Sequence, residues 1–482
     1  MKFNTIKQFG FLLSIIVSKL LAQEIPITTT SDEARALYIQ ALELGERYRN
    51  SEAKRLYEQA LAKDSSFTLA WLALAFMQTT NQENRAFVAK ARVLSEKASE
   101  GEKLLVQIRQ AQFDSDPTKR KALMEQLLQL YPNDKRVQEA MGLFFHFWLN
   151  EPDAGIPFYK KAIELDPAYH SAYNNLGYAY ANLGNYDEAG KTLKQYVELL
   201  PNEPNPHDTY AEVLMKQGKF DESISEYKKS LSIDPQFYFS HIGLGMNYVL
   251  TGKPDEGRRQ FEKLYDVASD DNDRSRAITA TMQSYVFEED YDKAIIEQKK
   301  DYALSEKAKD VANMALGRIR VAELYVEAGK PKEATRELQR ALTLINGSQF
   351  PTEPKAQMLQ SLWYQEALVA FASSDVATAK AKLKQYADAA NIVGNALQVK
   401  RAHQLAGRIA LQEKRYDDAL AELQQADQRN AQTLFITAQV YQVKGDRAKA
   451  KEFFSKAANF NDMSWEYALV RKRAKEELAS LK

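Results

Sequence analysis

The sequence predicts an all-α chain made of tandem helical hairpins, and three observations carry that prediction. Gly184, Gly218 and Gly252 recur at intervals of 34 residues, each between two apolar segments. Within those segments the apolar residues fall at helical spacing, as Tyr173, Leu176, Gly177 and Tyr180 do at i, i+3, i+4 and i+7. Pro201 and Pro235 close the units where a helix must stop.

Each unit reads as helix, turn, helix. In the unit from Ser171 to Pro201 the face Tyr173 to Tyr180 forms a first helix that ends at Gly184, and Ala189, Leu193 and Tyr196 give the matching face of a second. The next unit keeps Tyr210, Ala211, Leu214, Gly218, Phe220, Tyr227 and Pro235, with Ser223 at the small position. Outward from these, residues 34–67, 136–169 and 238–271 hold further copies, and 275–309 another. Tyr325 with Gly329 and Ala334, Trp363 with Ala367 and Ala379, Gly407 with Tyr416 and Ala419, and Tyr441 with Gly445 and Ala450 repeat a more degenerate frame. Residues 68–135 fit least well: Trp71 opens a unit whose second helix runs long before Pro132 closes another. The count is about twelve hairpins, followed by a helix at 465–482 whose Lys, Arg and Glu content suits a polar cap.

Tyr173-x2-Leu176-Gly177-x2-Tyr180, Gly184, Tyr186, Ala189, Leu193 and Pro201 resemble the tetratricopeptide repeat almost position for position. The resemblance covers roughly residues 34–464. It implies a right-handed superhelical solenoid, here divided at Ser269 to Asp273 into an N-terminal arc (34–271) and a degenerate C-terminal arc (275–464).

Composition narrows the function. Apolar residues make up 45% and charged residues 27%, enough to bury a continuous core. The 65 basic and 65 acidic residues cancel, so the chain lacks the charge footprint of a nucleic-acid or anionic-membrane binder. With no cysteine, disulfides, thiolate metal sites and cysteine nucleophiles are excluded. Lys2 and Lys7, the apolar run Phe9 to Val17 and Leu20-Leu21-Ala22 read as a signal peptide over residues 1–22, retention as an anchor being the alternative. The expected location is therefore periplasmic, envelope-associated or secreted, with no membrane insertion after cleavage.

Motifs of catalysis are missing. None of His146, His170, His207, His241 and His403 pairs with another at i, i+4, so no metal is expected, and His207, His241 and His403 occupy the repeat's aromatic slot. The acidic run Asp270 to Asp273 lacks the Gly and Glu of a calcium loop. No phosphate-cradling Gly-x4-Gly-Lys-Ser/Thr and no Gly-x-Ser-x-Gly elbow occur, so neither an enzyme nor a cofactor is expected.

Binding has more support, because stacked hairpins curve and their first helices line the concave side. By the resemblance that face carries Asn174, Tyr178 and Asn182, then Asp208, Glu212 and Lys216, then Phe239 and Met246. Amides can pair with a peptide backbone while aromatic and apolar groups bury side chains. Asp208, Glu212 and Ile242 argue against a Lys/Asn clamp for carboxylates, and Thr209 and Gly243 interrupt the Asn ladder that Asn175 would begin. The aromatic cluster Phe144 to Trp148 could floor a pocket or fill hairpin core. These readings predict a non-catalytic scaffold for a protein or peptide partner. A sensory module is the alternative, suggested by the segment Leu94 to Gln112; an enzyme with its site inside the superhelix is a third.

Overall fold

The computed structural model describes residues 24–78, 81–114, 116–268, 270–350 and 352–481. The expected signal peptide lies outside them. Among the described residues the chain is α-helical throughout, without strands, and its contacts group into two units that meet in sequence at Leu200 and Pro201.

The first unit stacks five hairpins: Asp32–Glu46 with Asn50–Lys63 (α1, α2), Thr68–Ala75 with Asn81–Ser95 (α3, α4), Glu100–Phe113 with Pro117–Leu130 (α5, α6), Lys135–Leu143 with Pro152–Leu165 (α7, α8), and His170–Asn182 with Tyr186–Leu199 (α9, α10). A π-helical turn, Phe144–Trp148, extends α7. The second unit stacks seven: Pro204–Lys216 with Phe220–Ile233 (α11, α12), Tyr238–Leu250 with Pro254–Val267 (α13, α14), Asp271–Phe287 with Tyr291–Lys307 (α15, α16), Val311–Glu327 with Pro331–Gly347 (α17, α18), Thr352–Ala372 with Val376–Val393 (α19, α20), Ala396–Gln412 with Tyr416–Gln425 (α21, α22), and Ala431–Val443 with Arg447–Ala458 (α23, α24). A final helix, Trp465–Ser480 (α25), follows.

In ten of the twelve described hairpins one small residue sets how closely the two helices approach. The fourth residue of the second helix is Ala53, Gly155, Ala189, Ser223, Gly257, Ala294, Ala334, Ala379, Ala419 or Ala450, all buried. There it faces the first helix's backbone. A Cβ on Gly257 would lie 2.6 Å from the Gly245 carbonyl oxygen, and the Ser223 hydroxyl donates to the Ala211 carbonyl at 2.6 Å. Larger side chains cannot occupy this gap without overpacking.

In ten of the twelve described hairpins the inner turn takes one residue in the left-handed region. Glycine serves at 184, 218, 252, 329 and 445, but Tyr48, Asn150, Glu289, Ser374 and Lys414 do so elsewhere. Each of these pays a strain that glycine avoids, about 1 kcal/mol. Residues 68–135 resolve into two hairpins separated by a capping box. Ser99 accepts from the Glu102 amide while the Glu102 carboxylate accepts from the Ser99 amide, which starts α5. The acidic run at 270–273 likewise starts a helix, with Asp270 as its N-cap on the Asp273 amide. In the second unit the first helices of hairpins begin at Asp271, Val311, Thr352 and Ala396, about 40 residues apart rather than 34. None of the described helices is long and apolar enough to cross a membrane.

The last helix caps the final hairpin and does more than that. Beyond packing on α24, it lies against the first helices α13, α15, α17 and α23 of its own unit. Tyr467, Ala468, Leu469, Val470 and Ala474 share one core cluster with Met246, Leu250, Phe287, Leu324 and Phe435. Arg471 donates to the Leu250 carbonyl at 2.6 Å, Gln283 to the Met463 carbonyl at 2.7 Å, and Arg473 meets Glu327 at 3.1 Å. Arg471 and Arg473 flank its apolar stripe, while Lys472, Lys475 and Glu476 are exposed.

Candidate binding site

The eight expected partner-binding residues divide between the two units, and most are engaged within the chain. In the first unit the Asn174 amide is buried and donates to the Tyr48 hydroxyl at 2.9 Å, while the Asn182 amide sits 2.7 Å from His146 Nε2. Tyr178 is half-buried. In the second unit Glu212 and Lys216 pair at 3.2 Å, and Lys216 faces the carboxyl group of Asp462 in the segment leading to α25. Met246 is buried in the cluster that holds α25, so it presents nothing to a partner. Phe239 stays exposed and packs on Tyr238, ring centroids 4.0 Å apart. α25 and intrachain hydrogen bonds thus engage Asn174, Asp208 and Met246.

Asp208 carries a measurable consequence. It is buried and accepts from the Ser240 hydroxyl at 2.6 Å, with no ion-pair partner among the described residues. Burial pushes its carboxyl up to about 7, Ser240 opposing this and the Glu212 charge adding to it. The folded state therefore holds a proton that the unfolded chain releases near pH 4, so stability falls as pH rises from about 4 to about 7. Asp208→Asn keeps an acceptor for Ser240 and removes the charge. It should leave stability at pH 4 nearly unchanged and raise it at pH 8 by about 4 kcal/mol, read from urea midpoints at both values. Equal effects at the two pH values would contradict the buried-charge account.

The histidines serve the repeat. His207 Nδ1 and His403 Nδ1 each lie 2.7 Å from a glutamate of the paired helix, Glu226 and Glu422, and His241 Nε2 lies 2.9 Å from the Pro235 carbonyl oxygen. Among the described residues no three His, Asp or Glu side chains are grouped to hold a metal ion.

The inner side of the later hairpins leaves space for a ligand. A cavity of about 520 Å³ opens between the first helices α17, α19, α21 and α23, with Trp465 and Glu466 of α25 at its border. That volume lies in the range of sites for small ligands or short chain segments. Its walls are rich in carboxamides. Gln404 donates to Thr433 Oγ1 at 2.8 Å and to Asn430 Oδ1 at 2.9 Å, but Gln365 Oε1, Gln398 Oε1 and Trp465 Nε1 are buried without partners. Buried polar groups are nearly always paired, so these two acceptors and one donor mark unmet capacity. Cationic Arg320, Lys400 and Arg401 are balanced by Glu323, Asp427 and Glu466. Arg320 covers the Trp465 ring at 4.4 Å and Arg401 the Tyr364 ring at 4.4 Å, so the aromatic faces are already taken. The arrangement suits a neutral chain of alternating N–H and C=O groups. Periodicity gave no signal for it, because inner-face amides look like solvated ones in sequence.

Two segments match family models described as tetratricopeptide repeat, residues 158–191 and residues 208–237. The chain is also 29% identical over 82 residues to the small glutamine-rich tetratricopeptide repeat-containing protein 2 of Mycosarcoma maydis; the match spans 17% of this chain and 23% of that protein's length. Among solved structures, a tetratricopeptide repeat protein from Parabacteroides merdae is 14% identical, covers 56% of this chain and 98% of its own, and superposes with a TM-score of 0.36. PilW, a type IV pilus biogenesis factor, is 19% identical over 49% of this chain and 94% of its own, with a TM-score of 0.31. The chain thus carries tetratricopeptide repeats, modules that generally mediate protein–protein interaction.

Proposed function

We propose that this protein is an exported, non-catalytic scaffold that holds an extended segment of a protein partner in the cavity of its later hairpins. The observation that carries this reading is the cavity itself: buried amide and indole groups without partners, net neutral walls and covered aromatic faces match a polypeptide backbone better than a charged ligand. The repeats support an interaction role, and the first 22 residues support export to the periplasm, the envelope or the medium.

The test places a photo-cross-linking residue at Leu397, an exposed cavity position, in the full chain expressed in its native cells. A discrete protein adduct is expected, reduced at least about tenfold by Gln365→Leu with Arg401→Gln, a loss of about 1.4 kcal/mol. No adduct, or an identical adduct in the double variant, would refute the cavity as the partner site. Fractionation tests the location separately: a mature chain lacking residues 1–22 outside the cytoplasm is expected, and a full-length cytoplasmic chain would refute export.

A further inference from the structure

The first unit holds two guanidinium groups that have no counter-ion among the described residues. Arg109 on α5 is only 9% exposed, donates from Nη1 to Gln112 Oε1 at 2.7 Å, and leaves its Nε without a partner. Arg120 on α6 leaves both Nε and Nη1 without partners. No described carboxylate comes within ion-pair distance of either.

What surrounds them is aromatic. The Arg109 guanidinium lies 4.0 Å from the Phe76 ring centroid and 4.8 Å from Phe113, and Arg120 lies 4.3 Å from Trp148 and 5.3 Å from Phe144. Phe144 and Trp148 are the ends of the π-helical turn, an irregularity that recurs at functional sites because it re-aims side chains. Phe76 and Trp148 keep 62% and 38% of their surface exposed, and Phe147 beside them is exposed as well.

Ring faces offset part of the cost of burying a cation, but they do not satisfy N–H groups. Burial pushes the Arg120 guanidinium down to about 10, and the charge of Arg109 adds to the effect, so the two cations also repel each other. Buried charge is ordinarily paired, and two guanidinium groups whose N–H donors lack protein partners are suited to an oxyanion.

We propose that Arg109 and Arg120 form a binding site for an oxyanion, a phosphate or carboxylate, carried on an apolar or aromatic group that packs on Phe76 and Trp148. The guanidinium forks donate to the anion's oxygens, and the exposed rings cover its apolar part. The site stands apart from the cavity of the second unit and does not depend on the scaffold reading.

The test is calorimetric titration of the full chain with phenyl phosphate and with inorganic phosphate, at constant ionic strength set with chloride. Phenyl phosphate should bind once per chain, at least about tenfold tighter than inorganic phosphate. Arg109→Gln and Arg120→Gln should each weaken it at least about tenfold. Arg120→Met guards against misfolding: removing an uncompensated charge should leave its melting temperature in chloride at or above the wild-type value while binding is lost. No saturable binding, or unchanged affinity in Arg120→Gln, would overturn the site. Equal affinity for the two probes would overturn the apolar half of the proposal, and a lower melting temperature for Arg120→Met would mark the arginine as purely structural.

Discussion

Ending the chain after Met463 is expected to abolish cooperative unfolding of the second unit and expose an apolar surface that binds a hydrophobic dye. The reason is what α25 covers. Its Tyr467, Leu469 and Val470 are buried in one cluster with Met246, Leu250, Phe287, Leu324 and Phe435. Tyr467 is the centre of the contact: its ring meets Phe287 edge-on at 5.7 Å, its hydroxyl donates to the Ala458 carbonyl at 2.9 Å, and it accepts from Arg471 Nε at 3.2 Å. Tyr467→Ala should therefore cost about 4 kcal/mol, through lost transfer energy and the cavity left behind. Tyr467→Phe keeps the ring and should cost about 1 kcal/mol for the hydrogen bonds alone. Chemical denaturation measures both. A truncated chain that unfolds as cooperatively as the full one would show that α25 only rests on the inner helices.

Glu139→Ala should destabilise the first unit by about 4 kcal/mol, and Glu139→Gln by about 2 kcal/mol. Glu139, on α7, is buried and accepts hydrogen bonds from three donors on the next hairpin or just before it: the hydroxyls of Tyr169 and Ser171 and the Asn175 amide, the last at 2.8 Å. Alanine leaves all three donors in a dry space, while glutamine retains one oxygen and turns an NH₂ group toward a donor. Nearby, Arg136 pairs with Glu46 of α1 at 3.0 Å, so one charged network ties three hairpins of this unit. Urea midpoints give the stabilities, and hydrogen exchange over residues 135–182 gives the location. Losses below about 1 kcal/mol in both variants would mean that water replaces the carboxylate.

Glu139 also shows why the site was harder to read than the fold. In sequence it is one acid among many on a helix, and Asn175, one of its donors, looks like the start of an Asn ladder. The pairing needs two hairpins stacked in register. The same holds for Gln365 and Gln398, whose spacing resembles that of surface amides until α19 and α21 are placed side by side. Gln404 meets Thr433 in the same way. Conversely, the Ser99 to Glu102 capping box lay in the sequence and would have divided residues 68–135 correctly, since it is a local signal.

The hairpins themselves follow from residues close in the chain. Gly at the left-handed turn, Ala or Ser at the close approach, Pro at the helix start and an apolar residue every third or fourth position all act within one period, so they can be read without partners. The frame dims from Asp271 onward for a local reason too: the helices lengthen, and Glu289, Ser374 and Lys414 take the turn that glycine marks elsewhere. What covers the inner helices is different in kind. Arg471 reaches the Leu250 carbonyl across 221 residues of chain, and Asn174 reaches Tyr48 across 126. Periodicity reports which side of a helix is apolar, but the choice between an open groove and one filled by the chain's own last helix is made by packing among residues that only folding brings together.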